Sequence, residues 1–178
     1  MRTELWRHRA AGSFEAADII PGESTILLDG VDTGVATLIE SWTISSSAAN
    51  SDHRLVEIPT AFDGADLSAV AELWGVSESQ AVERLTGAEL TVAFCGFSPG
   101  FAYLRGLKQE WAVPRLSAPR PRVPAGSVAL AGSYAGIYPT ASPGGWRLVG
   151  HTGEILFDVR REPPALLTPG TRVRLVSS

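Results

Sequence analysis

A chain of 178 residues, 44% of them apolar, can bury the core of one large domain or two small ones, which excludes a wholly disordered protein. A net charge of −4 argues against a nucleic-acid partner. The longest apolar runs, Ser127 to Gly132 and Glu154 to Val159, fall far short of the roughly 20 residues that cross a bilayer, and the charged first thirty positions do not read as a secretory leader.

In chain order, Leu5 to Ala17 carries a weak helical pattern. Ser24 to Asp29 and Gly34 to Trp42 join apolar and β-branched residues between glycines, which predicts two or three short strands. These stretches predict a small, incomplete α+β module over residues 1–52. Ser45 to Asp52 is small, polar and unpatterned, and predicts a linker with a domain boundary near His53.

Arg54 to Ile58 then reads as a strand stopped by Pro59, and Asp66 as the cap of a helix that places Leu67, Val70 and Trp74 on one face before Gly75. Ser77 with Gln80 is a capping-box signature for a second helix carrying Val82 and Leu85, with Gly87 as a left-handed stop. The pair, at about residues 65–87, carries Glu78 and Glu83 against Arg84, the wrong charge for a DNA-reading helix. From Leu90 on, strands are predicted at Leu90–Phe94, Ser127–Ala131, Gly136–Tyr138, Trp146–Gly150, Glu154–Val159 and Thr171–Val176. The fold class is therefore mainly β with an α+β amino-terminal part: a compact β-barrel over residues 53–178 behind the smaller module.

Charge is unevenly spread along this chain. Between Leu90 and Gly153 six basic residues, Arg105, Lys108, Arg115, Arg120, Arg122 and Arg147, face Glu110 alone, a surplus of five that leaves −9 for the remainder. A basic segment in an acidic protein suits a small anion better than a long phosphate backbone, although solvated surface arginines would give the same count.

Three loops concentrate the chemistry. The first, Phe94 to Leu107, sets Gly96, Pro99, Gly100 and Gly106 among aromatic residues, a tightly shaped turn that can press its amides against a ligand. Phe97 and Phe101 read as pins to the core, whereas Ser98 and Tyr103 offer hydroxyls to a site. The second, Val113 to Pro124, is too rich in proline for a helix, and holds Arg115, Arg120 and Arg122 on a stiff extended backbone. Arg115 and Arg120 are the better candidates to hold a carboxylate or phosphate through paired hydrogen bonds, the other possibility being a solvated edge segment. The third, Gly136 to Arg147, offers Tyr138, Ser142, the Gly144 and Gly145 amides and Arg147 to the same cleft, with His151 just beyond and Trp146 either walling the cleft or filling the barrel.

Other chemistries leave no pattern. His8, His53 and His151 lack metal-ligand spacing, so no metal is expected in this chain. Cys95, the one cysteine, allows no internal disulfide, reads as an inert buried thiol, and points to a reducing cytoplasm. Neither a nucleophile elbow nor a dinucleotide fingerprint is present.

GFSPGFAYLRGL, PRLSAPRPRVPAGSVALAG and GIYPTASPGGWRLVGHT, with LFD at 156–158 and the late PGTRVRL, resemble the allophanate hydrolase subunit 1 family, which includes the KipI and PxpB proteins. The likeness spans about residues 54–176. Cys95, Ala102 and Arg105 stand where relatives more often have leucine, proline and glycine, and Arg147 and His151 where they have glutamine and arginine. The resemblance implies a cyclophilin-like barrel behind a small α+β domain, related to the carboxyltransferase region of urea carboxylase.

It also implies a partner, allophanate hydrolase subunit 2 of the KipA or PxpC type. With a third component of the LamB/YcsF type, such pairs form an ATP-dependent 5-oxoprolinase that opens a cyclic amide. ATP is thus the expected cofactor, bound in or shared with a partner subunit. A small carboxylate or cyclic amide is the expected substrate, held by Arg115, Arg120 and Arg147 and oriented by Tyr103, Tyr138 and Ser142. Two other roles fit the same family: a KipI-like inhibitor of a sensor histidine kinase, and a carboxyltransferase-like subunit of a urea carboxylase system.

Overall fold

The computed structural model describes residues 2–22, 24–42 and 54–178. The chain divides into two compact units, Met1–Asp52 and His53–Ser178. The expected linker at Ser45–Asp52 and the boundary at His53 lie outside the described residues.

The smaller unit is built from α1 (Arg2–Ala10), a hairpin of β1 (Asp18–Pro21) and β2 (Ile26–Asp29), and α2 (Val35–Glu40). Its core is Leu5, Phe14, Ala16, Ile19 and Val35, and His8 stacks on Trp42 with ring centroids 3.8 Å apart. The stretch Gly34 to Trp42, expected as a strand, holds a helix: Val35, Leu38 and Ile39 recur at helical spacing, so one face meets this core.

The larger unit takes its form from alternation. In β3 (Leu55–Thr60) every second residue, Val56, Ile58 and Thr60, is buried. Pro59 does not stop this strand, because β3 lies at the end of the strand order, where a missing N–H costs no ladder bond. The helices α3 (Leu67–Leu73) and α4 (Glu78–Thr86) follow, burying Leu67, Val70, Ala71, Ala81 and Leu85. Ser77 and Gln80 form the expected capping box, whereas Gly87 has φ −81° and is no left-handed stop.

The remaining strands are β4 (Leu90–Cys95), β5 (Ala102–Arg105), β6 (Arg120–Val123), β7 (Ser127–Ala131), β8 (Tyr134–Ile137), β9 (Ser142–Gly144), β10 (Arg147–His151) and β11 (Arg172–Ser177). Seven of the strands form one sheet in the order β10-β7-β8-β5-β4-β11-β3. Its two ends meet: Ala61, directly after β3, exchanges both backbone hydrogen bonds with His151 of β10, at 2.9 and 2.8 Å, so the sheet curls nearly shut. Strands β6 and β9 form a separate ribbon, with Arg120 opposite Gly144 and Val123 opposite Ser142. The predicted strand Glu154–Val159 is instead a loop with a single bridge, Phe157 to Ala165. Asp158 turns it, its carboxylate accepting the Arg160 N–H, and only Leu156 of the apolar run reaches the core.

Every residue of β7 is buried, because both faces of the sheet are covered. Val128 and Leu130 point into the main core with Leu90, Leu104, Ile137 and Leu175. Ala129 and Ala131 face a second cluster with Phe101, Val123, Tyr138, Trp146 and Leu148. That second face carries the candidate site.

Candidate functional site

A small residue lets aromatic rings come close to this face. A Cβ on Gly136 would stand 3.0 Å from both Phe101 and Trp146, and glycine there lets those two rings approach the strand. Phe101 is fully buried and lies edge-on to Tyr103, Tyr138 and Trp146, with centroids 5.1, 5.3 and 5.5 Å away. Tyr103 sits on β5 opposite Gly136, stacked on Phe94 at 4.3 Å. Trp146 therefore walls this second layer and does not fill the barrel.

The three predicted loops come together over it. Gly145 accepts a hydrogen bond from the Leu116 N–H, and a Cβ on Gly145 would lie 3.8 Å from the Arg115 Nε. Arg147 donates through its Nε to the Pro114 carbonyl at 3.2 Å, and Arg120 donates to the Trp146 carbonyl at 3.4 Å. Arg115, Arg120 and Arg147 thus gather along one short segment, Gly144 to Arg147. Their roles differ. Arg120 is already matched, since it donates to the Asp66 Oδ1 at 2.8 Å, whereas Arg115 is exposed and its charge acts on the Tyr138 hydroxyl.

Asp66 stands at the expected N-cap position of α3, but its side chain serves another purpose. As a helix cap it makes no side-chain hydrogen bond to α3. Its carboxylate instead accepts from Arg120 and, through Oδ2, from the Leu148 N–H at 2.7 Å, while its own N–H donates to the Leu148 carbonyl at 2.8 Å. The buried carboxylate therefore pins the Arg120 end of the ribbon to β10. Nothing in the local pattern around position 66 announces a partner 82 residues away.

Tyr138 is buried, and its hydroxyl occupies the space that a Cβ on Gly144 would take. Gly144 is thereby explained as room for Tyr138, and Gly145 as a turn whose carbonyl is already engaged. Ser98 and Ser142 both hold buried Oγ atoms with no hydrogen-bond partner among the described residues. Ser142 lies on the ribbon opposite Val123, two residues from Gly144. Ser98 follows Phe97, whose ring centroid is 6.3 Å from that of Tyr138. The segments that carry these two orphan hydroxyls each reach Tyr138, one through the Phe97 ring and the other through Gly144.

His151 belongs elsewhere. It is exposed at the closing bridge, with Nδ1 2.8 Å from the Asp63 Oδ1. Cys95 ends β4, half-buried against the main core, with Sγ 3.6 Å from the Leu167 carbonyl.

Burial pushes the Tyr138 phenol above the ordinary tyrosine range, against the opposing pull of the Arg115 charge and the Trp146 backbone. A raised pKa in the folded chain means that the stability contributed by the neutral phenol is complete below the ordinary value of about 10 and is lost as pH climbs through the raised one. In an alkaline absorbance titration, Tyr138→Phe is expected to delete a phenolate step above that ordinary value and to lessen unfolding at high pH. Deletion of a step at or below it would contradict the burial.

Comparison with known proteins adds a lineage. Residues 6–167 match the family described as carboxyltransferase domain, subdomain C and D. A 5-oxoprolinase subunit of Escherichia coli O157:H7 is 41% identical over 182 residues, which cover 97% of this chain and 84% of the relative. Its counterpart of the same name in Bacillus subtilis (strain 168) is 42% identical over 128 residues, 70% of this chain and 53% of that relative. The crystal structure of TTHA0988 superposes with a TM-score of 0.83 at 34% identity, covering 98% of this chain. This chain spans about a third of TTHA0988, 35% of its length.

Proposed function

This chain belongs to the family of carboxyltransferase subdomains C and D, and from that premise we propose that it is the smaller subunit of a heteromeric 5-oxoprolinase, inactive by itself. The enzyme opens the cyclic amide of 5-oxoproline with ATP as energy source. Its other parts are a larger subunit of the KipA or PxpC type and a third component of the LamB/YcsF type. The name carried by the E. coli and B. subtilis relatives supports the reading, because a protein named as one subunit of an enzyme implies others. Among the described residues no helix is long and apolar enough to cross a membrane.

The observation that carries the site is the pair of buried hydroxyls without partners, Ser98 Oγ and Ser142 Oγ, on the two segments that flank Tyr138. A lactam with a carboxylate needs such a setting. Its carboxylate meets the exposed Arg115 guanidinium, the hydroxyls of Ser98 and Ser142 complete hydrogen bonds to the amide group, and the rings of Phe97 and Tyr138 shield it from water. A lactam carbonyl is a poor electrophile, and donors fixed around its oxygen stabilise the charge that develops there most strongly where water is kept out. Tyr138 stays a neutral donor under these conditions.

The Gly144–Gly145 turn does not fit a phosphate cradle for ATP. The space beside Gly144 is filled by the Tyr138 hydroxyl, and a strand follows Gly145 instead of a helix amino terminus. In this reading the nucleotide lies in, or is shared with, a partner subunit, and the part of this chain is to bind, orient and shield the amide.

The test is ATP turnover by the co-purified complex with and without 5-oxoproline. Stimulation is expected in the wild type. Arg115→Ala and the double substitution Ser98→Ala/Ser142→Ala are each expected to raise KM for 5-oxoproline by about tenfold or more. His151→Ala should leave KM within about twofold, since a charge at an exposed pair contributes little. No stimulation by 5-oxoproline in the wild type would end the reading.

A further inference from the structure

Phe97, read from sequence as a pin to the core, is 62% exposed. It is also the one described residue other than glycine with a positive φ, +68°. The Ser98 N–H donates to the Gly96 carbonyl at 2.8 Å, so Phe97 is the middle residue of a three-residue turn. The positive-φ form of that γ-turn is rare and strained, and a side chain makes it worse. Beyond it, the Phe101 N–H donates to the Ser98 carbonyl at 3.0 Å, and Gly100 at φ +82° lets the backbone close against Phe157. The turn is held from both sides.

Strain of this kind needs an offset, and burial of the ring does not supply it. Phe97 touches Phe101 and Tyr138 only edge-on, at 5.3 and 6.3 Å, and leaves most of its surface to solvent. The same turn buries the Ser98 hydroxyl without a partner. Position 97 thus combines an unfavourable backbone with an exposed aromatic ring, beside an unpaired hydroxyl.

We propose that Phe97 is a specificity-determining wall of the site: the strained turn holds its ring out so that a flat amide ring seats against it, with Ser98 donating to the same ligand. This rests on the 5-oxoprolinase reading and adds a residue to it. The ring discriminates by shape, favouring a planar five- or six-membered cyclic amide over its open-chain amino acid.

Phe97→Gly and Phe97→Ala both remove the ring, but only glycine relieves the turn. At an ordinary backbone position alanine is the more stable of the two; here Phe97→Gly is expected to melt above Phe97→Ala by about 2–4 °C, measured on the chain itself. In the assembled complex both variants are expected to raise KM for 5-oxoproline by about three- to tenfold, the worth of an aromatic contact, with the pair still co-purifying. Phe97→Gly melting below Phe97→Ala would remove the strain. An unchanged KM in an active complex would remove the wall, and loss of co-purification would make Phe97 a subunit contact instead. A wild-type complex that ignores 5-oxoproline overturns the functional reading itself, a different result from any of these.

Discussion

Replacing Asp66 by alanine is expected to cost the larger unit about 3–5 kcal/mol, the loss that follows when one partner of a buried charge pair is removed. Three bonds depend on this residue's carboxylate and backbone: the Arg120 guanidinium at 2.8 Å, the Leu148 N–H at 2.7 Å and the Leu148 carbonyl at 2.8 Å. Alanine keeps only the last. It leaves a buried N–H without an acceptor and a guanidinium, 28% exposed, without its counter-charge. Asp66→Asn is expected to lose less, since an amide oxygen still accepts from Leu148. Because Arg120 also caps the Trp146 carbonyl, the loss of Asp66 should loosen the β6–β9 ribbon and disorder the site above it. Denaturant unfolding of Asp66→Ala, Arg120→Met and the double variant checks this. A coupling between the two positions below about 0.5 kcal/mol would show them to be independent.

Gly144→Ala is expected to be the most damaging single methyl group in the site. The added carbon would stand 2.2 Å from the Tyr138 hydroxyl and 2.9 Å from the ring carbon that bears it. Tyr138 cannot retreat freely, because its ring is packed edge-on against Phe101 and Phe97. Either the ribbon shifts outward or the phenol leaves its place, at a cost of about 1–3 kcal/mol, and both outcomes displace Ser142, two residues away on the same strand. The expected result is a lower melting temperature together with a rise in KM for 5-oxoproline. Combining it with Tyr138→Phe, which takes away the oxygen but not the ring, should restore part of the stability. A Gly144→Ala protein as stable as the wild type, with unchanged KM, would show that Tyr138 is not held where the structure places it.

What could be read in the sequence is what short-range pattern encodes. The capping box at Ser77 and Gln80, the strands Leu90–Phe94 and Ser127–Ala131, bounded by glycine and proline turns, and the helix over Leu67, Val70 and Trp74 each follow from residues within a few positions of one another. The three loops were legible as glycine- and proline-punctuated turns, and they do meet at Gly144 to Arg147. The partners of Asp66 were missed because aspartate before an apolar helix reads as a cap, while the bonds that claim it come from Arg120 and Leu148. Glu154–Val159 failed because Asp158 turns the run back on itself, so that its backbone meets only the nearby segment 164–166, through a single bridge, and joins no sheet. Phe97 failed because nothing in a single letter records a φ of +68°. His151 was placed in the cleft on proximity in sequence, and the curl of the sheet carries it to Asp63.

A ladder between strands is indifferent to mutation, since almost any amino acid brings the same amide and carbonyl to it. Where Asp66 stands against Leu148, a carboxylate does part of that task, and the join becomes a property of one codon. Lengthening the side chain by one carbon, as in Asp66→Glu, would leave hydropathy and charge untouched and still misplace the acceptor. Random variation should therefore find the seam of this ring far less forgiving at position 66 than along the strands on either side.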